Sequence, residues 1–272
     1  NIILFLGLLI GSIQIAWCKP DRIISLSPTA TEMLFAIGAG EKVVAVDSHS
    51  NFPNDVPLTN LSALEPNLEA IALYKPDLVI ISFDIGNLKV GLNAVGIEVL
   101  KLPAVPTVED ALKQILEIGN KTGNEESAER LVLKMRRRIN EIAVEREGKP
   151  ELLVYHELDE NYYSPSRWSF LGNIYDILGF KNIADEADPN KIGYPKLSVE
   201  YILSSNPDII VTGGLENDSL SQFASRPGWN TINAVQNKTI IMVEPDISGR
   251  WGPRIVEFCE QIVQKLRIVG YD

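Results

Sequence analysis

Few residues in this sequence have the chemistry of a nucleophile, a general base or a metal ligand. The best candidates for an enzyme are Ser25 and Ser27 in "SLSPTATE" and the histidine and acids of "YHELDE". No GxSxG elbow, HExxH motif or P-loop accompanies them. With only 2 histidines and 2 cysteines, a zinc or manganese site built from several nitrogen ligands is not expected. The sequence favours binding over catalysis and predicts no intrinsic cofactor; a hydrolase, detectable by covalent labelling of either serine, is the alternative.

Two glutamates occupy matching places in a phrase that the chain contains twice. "NLEAIALYKPDLVI" begins at Asn67 and "SVEYILSSNPDIIV" begins at Ser198, 131 positions later, so Glu69 matches Glu200. Asparagine and serine are good N-caps, and the helix dipole favours a carboxylate in the first turn. Capping therefore explains the residue types. It does not explain why two otherwise divergent segments keep the same acid, so a second role for the glutamates stays open.

Apolar strands alternate with helices through both halves of the chain. Strands are predicted at "RIISLS", "KVVAVD", "DLVIIS" and "IEVLKL", and again at "ELLVYHE", "DIIVTGG" and "TIIMVE". Strands that are almost wholly apolar indicate parallel sheets covered on both faces. We therefore predict an α/β fold with two Rossmann-like lobes, an N-terminal lobe at 21–121 and a C-terminal lobe at 149–272, which are copies of one unit.

One long helix is predicted to join the lobes, at 122–148. Its segment "NEESAERLVLKMRRRINEIAVERE" contains no proline or glycine, and apolar residues recur at spacings of three and four. Such a helix would span roughly 35 Å, the size of a small domain. Because flexible linkers are rich in glycine or serine, we expect a rigid connector.

The two ends of the chain and its charge restrict location and partners. Residues 1–18 are apolar and uncharged, which is typical of a secretory signal peptide or a lipoprotein-type leader, with an uncleaved membrane anchor as the alternative. We expect a periplasmic or other extracytoplasmic protein, with either cleavage or membrane anchoring at Cys18. Cys259 is expected to be a buried apolar thiol, although a disulfide between the two cysteines stays open. The net charge of -11 argues against nucleic acid and against an anionic lipid surface as partners.

Several segments, in order along the chain, resemble a known family. They are "RIISLSPTATEMLFAIGAGEKVVAVDSHSNFP", "NLEAIALYKPDLVI", "YPKLSVEYILSSNPDIIV" and "GPRIVEFCEQI". The chain resembles the vitamin B12 periplasmic binding proteins and their relatives, the substrate-binding proteins of ABC importers for cobalamin, haem and iron-siderophores. The resemblance implies a bilobal, non-enzymatic receptor with a helical backbone. It also implies that Glu69 and Glu200 dock into arginine pockets on the two permease subunits, so that a pseudo-twofold receptor meets a twofold partner.

The resemblance also implies a ligand cleft between the lobes, at the carboxyl ends of the strands. The positions that match the cleft of the family supply Thr29, His49, Leu64 and Phe83 from the first lobe and Tyr163, Tyr194, Asp246, Arg250 and Trp251 from the second. Aromatic faces there would stack on a flat macrocycle, and the charged pair would serve amide or phosphate groups at its rim. The implied ligand is a cobalamin-type corrinoid.

The sequence departs from the pattern of the B12 receptors at some of these positions. Those receptors carry tryptophan at the positions of Leu64, Phe83 and Tyr194, and tyrosine at the position of His49. His49 and His156, on opposite walls, could act as axial ligands to cobalt or to haem iron; the alternative is that each is an ordinary hydrogen-bonding residue. Haem and ferric siderophores therefore stay open as ligands. We expect a monomer that meets a small molecule and an ABC permease dimer.

Overall fold

The N-terminal lobe is built on a parallel sheet. The structure, a computed structural model, describes residues 19–213 and 220–271. The strands of this lobe are β1 (Ile23–Leu26), β2 (Val43–Asp47), β3 (Leu58–Leu61), β4 (Leu78–Ile81) and β5 (Glu98–Lys101). They pair in the order β3-β2-β1-β4-β5, with every pairing parallel. The helices around this sheet are α1 (Pro28–Ala36), α2 (Leu68–Ala72), α3 (Leu88–Ala94) and α4 (Val108–Thr122).

The connector between the lobes is α5 (Glu125–Arg146), which lies within the predicted range. Its 22 residues correspond to a length of about 33 Å. One stripe of this helix is buried, at Ala128, Val132, Met135, Ile139 and Ile142. The stripe packs against α4 on one side and the C-terminal helix on the other, so the connector is supported by tertiary contacts along its length.

The C-terminal lobe repeats the architecture with a smaller sheet. Its strands are β6 (Leu153–Glu157), β7 (Lys181–Asn182), β8 (Ile209–Thr212) and β9 (Ile240–Met242), paired in parallel in the order β7-β6-β8-β9. Its helices are α6 (Phe170–Ile177), α7 (Val199–Ser205), α8 (Leu220–Ser225), α9 (Asn233–Gln236), α10 (Pro245–Ser248) and α11 (Ile255–Ile268). The predicted fold class, two parallel α/β lobes joined by one helix, is confirmed.

The internal repeat extends to backbone conformation and hydrogen bonds. Lys75 and Asn206, 131 positions apart, both follow their helix in the left-handed conformation, at φ 50° and 47°. The carboxylate of Asp77 accepts from the backbone N–H of Arg22 at 2.9 Å, and that of Asp208 accepts from Leu153 N–H at 3.0 Å. Each aspartate therefore ties the start of β4 or β8 to the start of the strand beside it. Arg22 and Leu153 are also 131 positions apart, so the structural repeat has the same length as the sequence repeat.

A hydrophobic cluster runs from one lobe into the other along the connector. It includes Met33 of α1, Ile115 of α4, Ile139 of α5, Val154 of β6 and Phe258 of α11. Each lobe also has its own cluster on the opposite face of its sheet. Cys259 lies in the shared cluster and is fully buried, as predicted; burial raises the pKa of its thiol to about 12. The lobes therefore share a core on one side of the molecule.

The leader predicted at 1–18, including Cys18, lies outside the residues that the structure describes. Within the described residues, no helix has both the length and the hydropathy required to cross a membrane.

Candidate functional site

A cavity of about 300 Å³ lies where the two lobes face each other. In the N-terminal lobe it touches the residues that follow β1 and β4. These two strands are neighbours in the sheet, and the direction in which the chain adds strands reverses between them. Such a reversal opens a crevice at the carboxyl ends of parallel strands, and α/β proteins bind ligands there. The cavity is lined by Leu26, Ser27, Pro28, Thr29, His49, Ala63, Ser82, Phe83, Asp246, Gly249, Arg250 and Trp251.

Six of the nine predicted cleft residues line this cavity. They are Thr29, His49, Phe83, Asp246, Arg250 and Trp251. The other three, Leu64, Tyr163 and Tyr194, are not part of its lining, although their side chains are 59%, 40% and 46% exposed. Of the predicted cleft residues, the structure therefore brings all the polar ones and two of the four Phe, Tyr and Trp residues to the cavity. It leaves one leucine and two tyrosines partly exposed outside the cavity lining.

A buried network of hydroxyl groups supports the N-terminal wall of the cavity. The Ser82 hydroxyl donates to Ser27 Oγ at 2.7 Å, and Ser50 donates to the Asp47 carboxylate at 2.6 Å. The Thr31 hydroxyl lies 3.0 Å from Ser50 Oγ. Burial raises the pKa of Asp47, against the lowering effect of the Ser50 hydrogen bond. These residues fix the positions of the loops that end β1, β2 and β4.

Arg250 crosses from the C-terminal lobe to the N-terminal lobe. Its Nη1 donates to the Glu32 carboxylate at 2.8 Å, and its Nη2 donates to the His49 carbonyl at 3.1 Å and to Asn51 Oδ1 at 2.8 Å. Nη2 also forms an ion pair with Asp246 at 2.9 Å. Because the side chain is only 8% exposed, these bonds are shielded from water and couple the two lobes.

A second arginine and a tryptophan reinforce the same junction. Arg254 donates to both oxygens of Glu32, at 3.1 Å and 2.7 Å, and its guanidinium lies over the Phe52 ring, 4.3 Å from the centroid. The indole N–H of Trp251 donates to Gln114 Oε1 at 2.9 Å. A buried carboxylate is tolerated only when it is paired, and Glu32 has two cationic partners.

Sequence reasoning missed Glu32 and Arg254. A signal was present, since Glu32 is the only charged residue in the helix "PTATEMLFA" and this helix is otherwise apolar or hydroxylic. An acid on a helix that must be covered by other elements indicates a buried partner. The identity of that partner, more than 200 positions away, could not be read from the pattern.

The two histidines have different environments. His49 is exposed and lines the cavity, and its Nδ1 lies 3.3 Å from Ser48 Oγ. His156 is fully buried in the C-terminal lobe, with Nδ1 2.7 Å from the Tyr175 hydroxyl and its ring stacked on Phe258. The prediction of His156 as an axial ligand is therefore wrong. Side chains alternate along β6, and His156 points into the shared core while Glu157 points to the other face.

The duplicated glutamates are both accessible to solvent. Glu69 and Glu200 are exposed, each two residues after its N-cap. The Asn67 side chain accepts from Ala70 N–H at 2.9 Å, and the Ser198 side chain accepts from Tyr201 N–H at 3.1 Å. The N-cap side chains thus accept these backbone N–H groups at the start of each helix. The glutamate carboxylates are not needed for capping and are accessible.

Other grooves are present, and one between α5 and α11 measures about 400 Å³. It lies along the connector, away from the carboxyl ends of the strands, where a ligand crevice is expected. Among the described residues, no group of three or more His, Cys, Asp or Glu side chains could hold a metal ion. The cavity between the lobes is therefore the candidate site.

The chain matches known proteins over most of its length. Residues 23–247 match the family described as periplasmic binding protein. An uncharacterised ABC transporter substrate-binding lipoprotein of Bacillus subtilis is 28% identical over 260 residues, which cover 91% of this chain and 80% of the relative. A cobalamin-binding protein of Halobacterium salinarum is 30% identical over 251 residues, covering 88% of this chain and 67% of the relative.

A solved structure shows the same arrangement of lobes. It is that of a possible iron-binding, periplasmic solute-binding protein from Staphylococcus epidermidis, which is 27% identical and superposes with a TM-score of 0.80. The match covers 92% of this chain and 99% of the other.

Proposed function

The chain belongs to the periplasmic binding protein family, and from this premise we propose that it captures a cobalamin-type corrinoid for an ABC importer. The members of this family bind substrates and do not transform them, so the hydrolase alternative falls. The observation that carries the proposal is the cavity between the lobes, at the reversal of strand order, with Phe83 and Trp251 in its lining. The similarity to the cobalamin-binding protein of Halobacterium salinarum supports a corrinoid as the ligand.

Aromatic side chains on both lobes provide the apolar surface that a flat macrocycle requires. Phe83 is 52% exposed in the N-terminal lobe, and Tyr163 and Tyr194 are exposed in the C-terminal lobe. Exposed aromatic residues that face a cleft stack on planar ligands. A corrin ring with its amide side chains is larger than the cavity, so in the proposed complex part of it projects beyond the cavity, past Phe83.

Delivery requires contact with a permease dimer. We propose that Glu69 and Glu200 make that contact, because the repeat gives each lobe one exposed carboxylate at an equivalent position. Exposed ion pairs contribute only about 0.2–1 kcal/mol each. Such pairs therefore set the register and rate of the encounter more than its affinity.

The proposed cycle begins with capture of the ligand outside the cytoplasm. The lobes close slightly around it, the loaded protein docks on the permease as a monomer, and the transporter separates the lobes to release the ligand. The apolar leader at 1–18 and the lipoprotein relative of Bacillus subtilis support an extracytoplasmic location, with anchoring at Cys18 as the form to be tested.

One observation favours a second candidate ligand. His49 is exposed at the cavity, and imidazole is a common axial ligand of haem iron. Haem, or another iron complex, is therefore the alternative ligand of the same site. The possible iron-binding protein of Staphylococcus epidermidis is similar over nearly its whole length, which supports testing iron complexes together with corrinoids.

Titration calorimetry with cyanocobalamin, cobinamide, haemin and a ferric hydroxamate tests the proposal. We expect the corrinoids to bind reversibly, and Phe83→Ala to weaken their binding about tenfold through the loss of one aromatic contact. Leu133→Ala is the matched control, since Leu133 is 62% exposed on α5. Tight binding of haemin without any response to corrinoids would replace the first candidate by the second. In that case a Soret shift that His49→Ala abolishes would identify the axial ligand.

A further inference from the structure

The cavity between the lobes has one arginine among its lining residues, and both terminal nitrogens of that side chain already bond to protein acceptors. Arg250 bonds through both terminal nitrogens to Glu32, Asn51, Asp246 and the His49 carbonyl. An anionic ligand group would have to compete with these acceptors for the guanidinium. Displacing Glu32 would leave a carboxylate buried with one partner fewer, which is strongly unfavourable.

The ion network behind Arg250 carries an excess of negative charge. It contains two arginines, Arg250 and Arg254, and three carboxylates, Glu32, Glu244 and Asp246. Its formal charge is therefore −1. Asp246 lines the cavity with its side chain 33% exposed, whereas its partner Arg250 is only 8% exposed, so the carboxylate is the more accessible charge on the side where a ligand would sit.

Cations elsewhere on the C-terminal lobe do not compensate for this charge inside the cavity. Lys191 is exposed and stacks on the Trp168 ring, with Nζ 4.5 Å from the centroid. Lys196 is exposed beside Tyr163, with which it forms a backbone bridge. Neither lysine is part of the cavity lining. The carboxylate and the guanidinium that line the cavity are therefore those of Asp246 and Arg250, both members of the ion network.

From this arrangement we propose that the cleft selects neutral or cationic cargo and discriminates against the anionic form of the same molecule. The inference rests on the proposed function, which it refines by assigning a charge class to the ligand. A single anionic group within several ångströms of the accessible Asp246 carboxylate, in a partly buried site, is expected to weaken binding at least about tenfold. Polar groups of the ligand are then recognised by Asp246 as a hydrogen-bond acceptor, not by a free arginine.

Matched pairs of ligands test the proposal by calorimetry; the two members of each pair have the same metal centre, and the second member carries carboxylates that the first lacks. The pairs are cobinamide and cobyrinic acid, in which carboxylates replace the side-chain amides; haemin dimethyl ester and haemin; and ferrioxamine B and its N-succinyl derivative. In whichever class binds, the neutral or cationic member should bind at least about tenfold more tightly. Equal affinities, or tighter binding of the anionic member, would overturn the charge selection and leave the proposed function intact. Failure of every pair to bind would instead remove the proposed function, and this inference with it.

Substitution of Asp246 identifies the source of the discrimination. Asp246→Asn keeps the shape of the side chain and brings the formal charge of the network to zero, so the preference within the pair should shrink several-fold. Glu129→Gln, which removes one negative charge from an exposed position on α5, is the control and should leave the preference unchanged. A preference that persists undiminished in Asp246→Asn would show that the ion network does not cause it.

Discussion

Acidification should destabilise the protein through His156, and the effect can be worked out from its surroundings. The imidazole is fully buried, with Tyr175 and Phe258 beside it. Its Nδ1 is 2.7 Å from the Tyr175 hydroxyl, and Nε2 has no hydrogen-bond partner among the described residues. Burial lowers the pKa of His156 from 6.5 to about 3, because the charged ring would lose its hydration without gaining an acceptor.

The sign of the effect follows from the direction of this pKa shift. Below pH 6.5 the unfolded chain binds a proton at His156 and the folded protein does not, so the free energy of unfolding falls as the pH falls. The loss is about 1.4 kcal/mol per pH unit between pH 6.5 and pH 3, and reaches about 2.7 kcal/mol at pH 4.5. That is a sizeable part of the stability of a typical domain.

Urea unfolding at a series of pH values between 7 and 4.5 measures this contribution. The carboxylates titrate alike in the parent and in a variant, so the difference between the two curves isolates the histidine. His156→Asn, which retains a polar atom near Nδ1, should be less stable at pH 7 but should lose about 2.7 kcal/mol less on acidification. His49→Asn, at the exposed histidine, is the control and should follow the parent curve. Parallel curves for the parent and His156→Asn would refute the reasoning.

Three further outcomes are expected. Charge reversal of Glu69 and Glu200 together should abolish transport in cells and leave ligand affinity intact. Undiminished uptake would exclude a docking role for these two glutamates. Glu32→Ala leaves two arginines at the junction without their shared buried carboxylate. This substitution should lower the free energy of unfolding, measured by urea titration, by about 3–5 kcal/mol. The control Glu129→Ala, on the exposed face of α5, should change the free energy of unfolding by less than about 0.5 kcal/mol. X-ray scattering of the free and ligand-saturated protein should show closure of only a few degrees, because a helix and a shared core join the lobes; a large compaction would contradict this expectation.

The strands that were predicted from sequence are those with a continuous apolar run. β1, β4 and β8 are buried at every residue, and such runs between turn signals are the pattern of central parallel strands. β3 and β7 were missed. β3 reads Leu-Thr-Asn-Leu and is partly exposed at the sheet edge, and β7 has only two residues. Their pairing depends on neighbouring strands more than on their own composition.

The site was predicted where a residue type and a strand end coincide. Phe83 and His49 follow β4 and β2 directly, and both line the cavity. Tyr194 lies in a long segment between β7 and α7 without a nearby strand end, and it is not part of the cavity lining. Arg250 was predicted to meet the ligand, but its partner Glu32 comes from the other lobe. Pairings across 218 positions are set by tertiary packing, which periodicity and motif spacing do not encode.

The hydrophobic cluster that continues through the connector also determines how the molecule can come apart. Duplication produces two halves that could in principle fold separately, and the equivalent bonds of Asp77 and Asp208 still show that the halves are copies of one unit. Here, however, Ile139 and Phe258 belong to the same hydrophobic cluster as Met33. A fragment that contained one lobe alone would therefore expose a large apolar surface to water. We therefore expect the two halves to unfold together, as one cooperative unit, although they arose as copies.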